Sequence, residues 1–495
     1  MPGQSGAEGA GRFTYAHPSS GRSRAAVRGV LWSSLHTAVP TLSAAVVFFF
    51  AARYLAPVDF GTVGLAASIV AFAVALAPGA LGEALIQRKA IDDAHTDSVF
   101  WLTTGVGLLL FTTLCLGAGW IATLLGEPAL RALLPVIGLR IPFELAATVP
   151  NALIVRSMRF RLVALRTSIA TAISMSLCLA LLFLGYGYWA LAISQVAVSM
   201  VNCVAAYWVT GWRPGRELRA EPLRQLMSYG IFASGTRMLS LMNLDQILIG
   251  VLGGAPMLGF YYFARRLFVL LNGMIAGSLS SVSHVLLSAL QSDGAKVRQA
   301  LLFATYASSV VAFPVFTGIA LIIDDLIPMA FGEKWMAAAL PIQAFCVIGV
   351  LASIGIVQAA LVTSQGRAGW WFLYQLVQQA TTLAVIWAFA DDFQAMMVAI
   401  AVKTLLLWPI SIRMTTRLLG CGIAGYLRAF AAPVAATCVM AAGVLAVPYL
   451  LPGLGPAVFV PLQIVTGVLL YVPVIFALSL DRIGDLRRLI ASKGL

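Results

Sequence analysis

Long apolar runs alternate with short polar connections along the whole chain. Runs of predominantly apolar residues lie at roughly 29–52, 60–87, 98–124, 130–155, 163–184, 187–210, 225–251, 256–290, 299–323, 336–363, 368–390, 393–412, 429–450 and 457–479. A helix needs about 20 apolar residues to cross the hydrocarbon core of a bilayer. Each run is therefore predicted as a membrane-spanning helix, about fourteen in all. The short connections let nearly all backbone N–H and C=O groups pair inside helices, as an apolar solvent requires.

The polar connections carry the orientation. One set holds Arg12, Arg22, Arg24 and Arg28, then Arg88 and Lys89, then Arg156, Arg159, Arg161 and Arg166. The same side takes Arg213, Arg216, Arg219, Arg224, Lys296, Arg298, Arg367, Arg413, Arg417 and Arg428, and finally Arg482, Arg487, Arg488 and Lys493. The opposite set holds only Arg53, Arg131 and Lys334. A missed or spurious helix would scramble this alternation. The positive-inside bias thus predicts an even number of spans with both termini cytoplasmic.

Composition agrees. Of the 495 residues 60% are hydrophobic and only 10% charged, against roughly 25% charged in soluble domains; mean hydropathy is +0.93. The net charge of +13 is scattered among loops rather than gathered into a basic domain, so nucleic acid is not the expected partner. The six cysteines form no CxxC pair and the four histidines show no ligand spacing, so neither disulfides nor a metal is expected. No GxxxxGK[ST] occurs. No cofactor is expected, and nothing in the short outer loops points to an enzyme. Residues 1–26, rich in Gly and Ser and without an apolar h-region, read as a disordered cytoplasmic tail rather than a signal peptide.

The two halves echo each other at an offset near 206 residues. LGEPALRALLP from Leu125 matches FGEKWMAAALP from Phe331, and LAPVDFG after the first span echoes GAPMLGF after the seventh. Units of six spans share orientation and relate by an axis along the membrane normal. The expected fold is an all-α integral membrane protein. It has a six-helix lobe at 27–212, a second at 213–420, two additional transmembrane helices within 421–480 and a cytoplasmic tail at 481–495. The two lobes are expected to face a central cleft.

Eight ionisable residues fall inside the spans: Glu83, Arg140, Glu144, Arg237, Asp245, Arg265, Arg266 and Lys403. Each costs about 2.5–3.5 kcal/mol at the bilayer centre on insertion scales. They must pair, snorkel or line a hydrated cavity. Arg140 and Glu144 share a helix face and can pair locally. Asp245 on the seventh span is within reach of Arg265 or Arg266 on the eighth, with Arg237, Asn243, Gln246 and Asn272 nearby. Glu83, close to Arg88, can snorkel. Either a structural ion pair or a solvated transport cavity accounts for Arg237, Asp245 and Arg266.

ARYLAPVDFGTVGLA from Ala52, GALGEALIQRK, GYWALAISQ, RQLMSYGIF, LDQILIGVLGGAPMLGFYYFARRL and FGEKWMAAALP, in this order, resemble the Wzx-type polysaccharide and oligosaccharide flippases. These belong to the multidrug/oligosaccharidyl-lipid/polysaccharide transporter superfamily. The resemblance runs from the first span through the tenth; beyond that it is mostly hydropathy. It implies a substrate of oligosaccharide repeat units on undecaprenyl pyrophosphate, moved across the bacterial inner membrane by alternating access for exopolysaccharide, capsule or O-antigen synthesis. Membrane lipid, a polymerase and glycosyltransferases would be its partners. By the family pattern Asp245, Tyr261, Arg266, Arg53, Gly61 and Gln87 match motif positions. Ala56 and Phe263 depart from it, standing where Gly and a basic residue are usual, as does Pro78 near a position often acidic. A net-positive cavity suits pyrophosphate. Arg140, Arg237, Arg266, Lys403, Asp245, Tyr261 and Arg53 are thus the candidate substrate contacts. Glu83, Glu144 and Asp245 are candidates for coupling or pairing. A drug antiporter of the same superfamily, or a membrane polysaccharide polymerase or ligase, are the alternatives.

Overall fold

The computed structural model describes residues 22–88, 91–227, 238, 242–288, 294–451 and 455–479. Every regular element among them is helical. In chain order these are α1 (Arg22–Tyr54), α2 (Pro57–Leu76), α3 (Ala80–Gln87), α4 (Asp93–Leu124), α5 (Leu130–Gly138), α6 (Arg140–Ala146), α7 (Thr148–Arg156), α8 (Phe160–Phe183) and α9 (Trp189–Thr210). There follow α10 (Ala220–Met227), α11 (Leu244–Ser288), α12 (Gly294–Ala330), a 3-10 segment (Glu333–Ala338), α13 (Ala339–Ser364), α14 (Ala368–Ala388) and α15 (Phe393–Leu419). The last are α16 (Ile423–Leu427), α17 (Ala431–Leu450) and α18 (Pro456–Leu478).

Eleven of these helices are long and apolar enough to cross a membrane, or twelve if the pair Leu130–Ala146 and Thr148–Arg156, bent by 44°, is one span. This is a multi-pass membrane protein. Counted among the described residues, the spans fall short of the fourteen expected from the sequence at two places. The expected seventh span falls largely outside the described residues, and what is described of it runs into the eighth within α11. The expected eleventh, α14, carries Gln375, Gln378 and Gln379, which lower its apolar character.

The chain divides into two compact units. One comprises residues up to Ser43 with Ala66–Leu124 and Pro128–Met242; the other comprises Ala44–Leu65, Leu125–Glu127 and everything from Asn243. In the first unit, Leu85, Val99, Phe100, Val149 and Trp212 are buried together. There the buried Arg156 donates to the carbonyl oxygens of Leu85 (2.9 Å) and Arg88, closing the carboxyl end of α3.

The second unit turns on Gly254, the one residue inside α11 with non-helical backbone (φ 69, ψ −177). Positive φ is open to glycine at little cost. The chain reverses there. In a straight helix Asp245 and Tyr261 would lie roughly 24 Å apart, yet their side chains are hydrogen-bonded at 2.5 Å. The two arms of this hairpin then meet α2 at backbone contact. A Cβ on Gly61 would sit 1.8 Å from the Ala255 carbonyl oxygen, and one on Gly259 would sit 1.9 Å from that of Pro57. Only glycine permits such an approach, which in lipid substitutes tight packing for the missing hydrophobic drive.

Around this crossing lies an aromatic core. Phe263, fully buried, stacks on Trp335 at 4.1 Å between ring centroids, and Phe48, Phe60 and Phe331 close around them. Trp335 donates its indole N–H to the Ala52 carbonyl at 2.8 Å. The place of Phe263 in this core explains why no basic residue stands there: a charge would be buried among rings without a partner.

Gly259→Val is expected to force backbone or rotamer shifts costing about 1–3 kcal/mol or more. The measurement is the thermal unfolding midpoint of detergent-purified protein, with Gly369→Ala as control. Gly369 has open space around it.

Candidate functional site

Four helices of the second unit present one face each to a shared cavity. From α11 come Tyr261, Arg265, Phe268 and Asn272; from α14 come Trp371, Tyr374, Gln375, Gln378, Gln379 and Thr382. From α15 come Ile400, Lys403, Thr404, Trp408 and Ser411, and α13 contributes Phe345, Gln358 and neighbours at similar spacing. Steps of three and four put such residues on one side of a helix. The cavity measures about 450 Å³, within the roughly 300–1,000 Å³ usual for small-molecule sites.

Its charges are held by the protein itself. Asp245, 7% exposed, accepts from the Tyr261 hydroxyl at 2.5 Å and forms an ion pair with Arg265. The other guanidinium nitrogen of Arg265 donates to Asn243 Oδ1 at 3.1 Å. The anion and cation thereby cancel. Lys403 Nζ donates to Gln378 O (3.0 Å), Gln378 Oε1 (2.8 Å) and Thr382 Oγ1 (2.6 Å). An ammonium has three N–H bonds, and each has a protein oxygen.

The pairing settles a choice that the sequence left open. The partner of Asp245 is Arg265, not Arg266, because successive residues on a helix point about 100° apart. Arg266 is half-buried and forms no hydrogen bond or ion pair with a described residue.

The remaining candidates are placed as follows. In the first unit Arg140 Nε binds Glu144 Oε1 at 2.8 Å, one turn along, and its NH1 reaches Gln195 Oε1 at 3.1 Å. Ser199 donates to the same Glu144 oxygen at 2.9 Å. Glu83 is half-buried on α3. In the second unit Arg53 is exposed at the end of α1 and donates to the Ala330 carbonyl at 3.3 Å. Next to it Lys334 donates to the carbonyls of Arg53 and Leu55 at 2.9 and 2.7 Å. Arg237 lies outside the described residues.

Sequence reasoning missed the amide and aromatic wall. Its signal was present in WWFLYQLVQQ from Trp370, where Trp371, Tyr374, Gln375, Gln378 and Gln379 recur at helical spacing inside an apolar run.

A family described as polysaccharide biosynthesis protein matches residues 50–340, more than half of the chain. The chain belongs to that family. Among similar proteins, the succinoglycan biosynthesis transport protein ExoT of Rhizobium meliloti (strain 1021) is 27% identical over 353 residues, 69% of either chain. The teichuronic acid biosynthesis protein TuaB of Bacillus subtilis (strain 168) is 22% identical over 380 residues, 73% of this chain and 78% of that one. Among solved structures the fold is similar to the lipid II flippase MurJ in an inward closed conformation. The TM-score is 0.74 at 15% identity, over 92% of this chain and 100% of that one. This polysaccharide biosynthesis protein therefore shares a transporter fold with MurJ.

Arg265→Ala strands Asp245 without its counter-ion and is expected to lower stability by about 3–5 kcal/mol. Asp245→Leu with Arg265→Met together should recover most of that, and Arg266→Ala alone should stay within about 0.5 kcal/mol of the parent. Thermal unfolding of the purified variants checks all three.

Proposed function

We propose that this protein flips polyprenyl-pyrophosphate-linked oligosaccharide repeat units across the bacterial inner membrane for surface polysaccharide synthesis. It does so by alternating access, with both termini cytoplasmic and without chemical change to its cargo. The observation that carries the reading is a cavity walled by amides and aromatic rings midway along α14 and α15, in a chain of the polysaccharide biosynthesis family. Lipid facing such a wall would leave its polar groups unsatisfied; a hydrophilic passenger would not. The relatives named for succinoglycan and teichuronic acid biosynthesis support the class of cargo, and the MurJ-like fold supports the mode of movement.

Within this reading, guanidinium groups hold the pyrophosphate through charge-assisted, paired N–H donors. Arg266 in the second unit is the first candidate because its cation is free of described partners; Arg53 in the same unit, Arg140 in the first, and Arg237 are the others. Tyr261, Asp245 and Lys403 frame the cavity, and Glu83 and Glu144 are assigned to pairing or coupling. The synthases and polymerase that make and consume the repeat unit would act beside it. A drug antiporter is disfavoured because Asp245, the one carboxylate among the described cavity residues, is already neutralised by Arg265 and so offers a cationic drug no free anion. A polymerase or ligase is disfavoured because, among the described residues, no second carboxylate and no histidine lines this cavity to serve acid–base chemistry.

Deleting the gene should abolish surface polymer and leave lipid-linked repeat units on the cytoplasmic leaflet; normal polymer in the deletion strain would end the reading. In the complemented strain Arg266→Ala should reduce polymer export by about tenfold or more with protein level unchanged, since a charge-assisted hydrogen bond contributes about 1.5–3 kcal/mol. Arg266→Lys should restore part of it. Extractable polymer and immunoblotting report the two quantities.

A further inference from the structure

The cavity of the second unit holds more unpartnered polar groups than its charges account for. Gln375 and Gln379 are half-buried on its α14 wall, and neither side chain hydrogen-bonds to a described residue. Asn272 Oδ1, Gln358 Oε1 and Trp408 Nε1, of residues in the same wall, are buried with no hydrogen-bond partner among the described residues. Gln358 is 1% exposed, and its amide nitrogen is already engaged with the Tyr426 hydroxyl at 3.2 Å. Native proteins leave few such atoms, and each costs about 1–3 kcal/mol. Gln375 and Gln379 stand in the cavity wall itself, where a ligand can reach and complete their amides.

The kind of group required follows from the inventory. Amide oxygens need donors, whereas amide and indole N–H groups need acceptors. A pyrophosphate, ionised at neutral pH, offers acceptors only and would leave the amide oxygens of Gln375 and Gln379 as they are. The cavity's cations are also closed to it: Arg265 is cancelled by Asp245, and the three N–H bonds of Lys403 end on Gln378 and Thr382. Hydroxyl groups donate and accept at once. The rest of the wall suits the same ligand, because Trp371 and Tyr374 lie together at 5.3 Å and Phe268 stacks on Phe345 at 5.5 Å. Aromatic faces receive the weakly polarised C–H face of a pyranose ring.

We infer that this cavity is a subsite for uncharged, hydroxyl-bearing sugar rings of the repeat unit, and that the pyrophosphate is held elsewhere. The inference rests on the flippase reading and sharpens it by separating the recognition of sugar from that of phosphate. Lys403 then acts as a positioning residue, fixing the Gln378 and Thr382 part of the wall.

Titration calorimetry on the purified, full-length protein tests it, using a panel of neutral di- and trisaccharides without lipid, and inorganic pyrophosphate. At least one neutral glycan should bind. Saturating pyrophosphate should leave its affinity unchanged, and Gln375→Leu with Gln379→Leu should weaken it by about tenfold or more, at an unfolding temperature equal to the parent's. If that pair does not fold, Gln375→Leu and Gln379→Leu made singly should each weaken the same glycan. No binding by any member of the panel, competition by pyrophosphate, or unchanged affinity in the variants would each overturn the inference. Polymer lost on gene deletion while no glycan binds would keep the flippase reading and remove this one. Glycan bound while the deletion strain makes normal polymer would remove the flippase reading.

Discussion

Asp245 meets Arg265 and Tyr261 across the reversal at Gly254, and the second unit is organised around that meeting. A carboxylate out of water is tolerable only when a counter-ion and hydrogen bonds replace its hydration. Here both come from one helix face a turn apart, so satisfying the charge also sets the rotation of α11. Phe268 and Asn272 follow on that same face and enter the cavity wall. The reversal needs no loop because glycine alone occupies the positive-φ residue, and Gly61 and Gly259 let α2 close on it. Charge, turn and packing are one constraint.

The same economy appears in the first unit, where Arg140, Glu144, Gln195 and Ser199 satisfy one another. Intramembrane charge in this protein is thus mostly internal scaffolding, with Arg266 the exception among the cations described in the second unit's hairpin. A buried polar group held by its neighbours rigidifies a wall, whereas one left open stays costly. The distinction separates the residues that shape the cavity from those that meet its contents, and the overall positive charge of the chain does not reveal it.

Much of this was legible in the sequence. The apolar runs located the helices, the loop charges implied their alternation, and the Asp245 hairpin was visible from helical rise alone. The choice between Arg265 and Arg266 was not, because adjacent residues differ by a rotation that only packing sets. The count of spans was least legible where a seventh and an eighth run meet at Gly254 and where α14 is diluted by glutamine. Those glutamines were the readable trace of the cavity. They recur at helical spacing, yet hydropathy registers them as weakness in a span rather than as a face. Phe263 looked like a departure from pattern and is instead a stacked core ring.

The bond from Lys403 to Gln378 and Thr382 also bears on how the chain enters the bilayer. α14 and α15 are joined by four residues, 389–392, and Asp392 caps α15 through the N–H groups of Gln394 and Ala395. Alone, α14 presents bare amides to lipid, and α15 presents a bare ammonium, a penalty of about 2.5–3.5 kcal/mol on insertion scales. Each removes the other's burden only when both are present side by side. The two helices are therefore one unit of packing: the Lys403 ammonium has its three oxygens only where α14 lies beside α15.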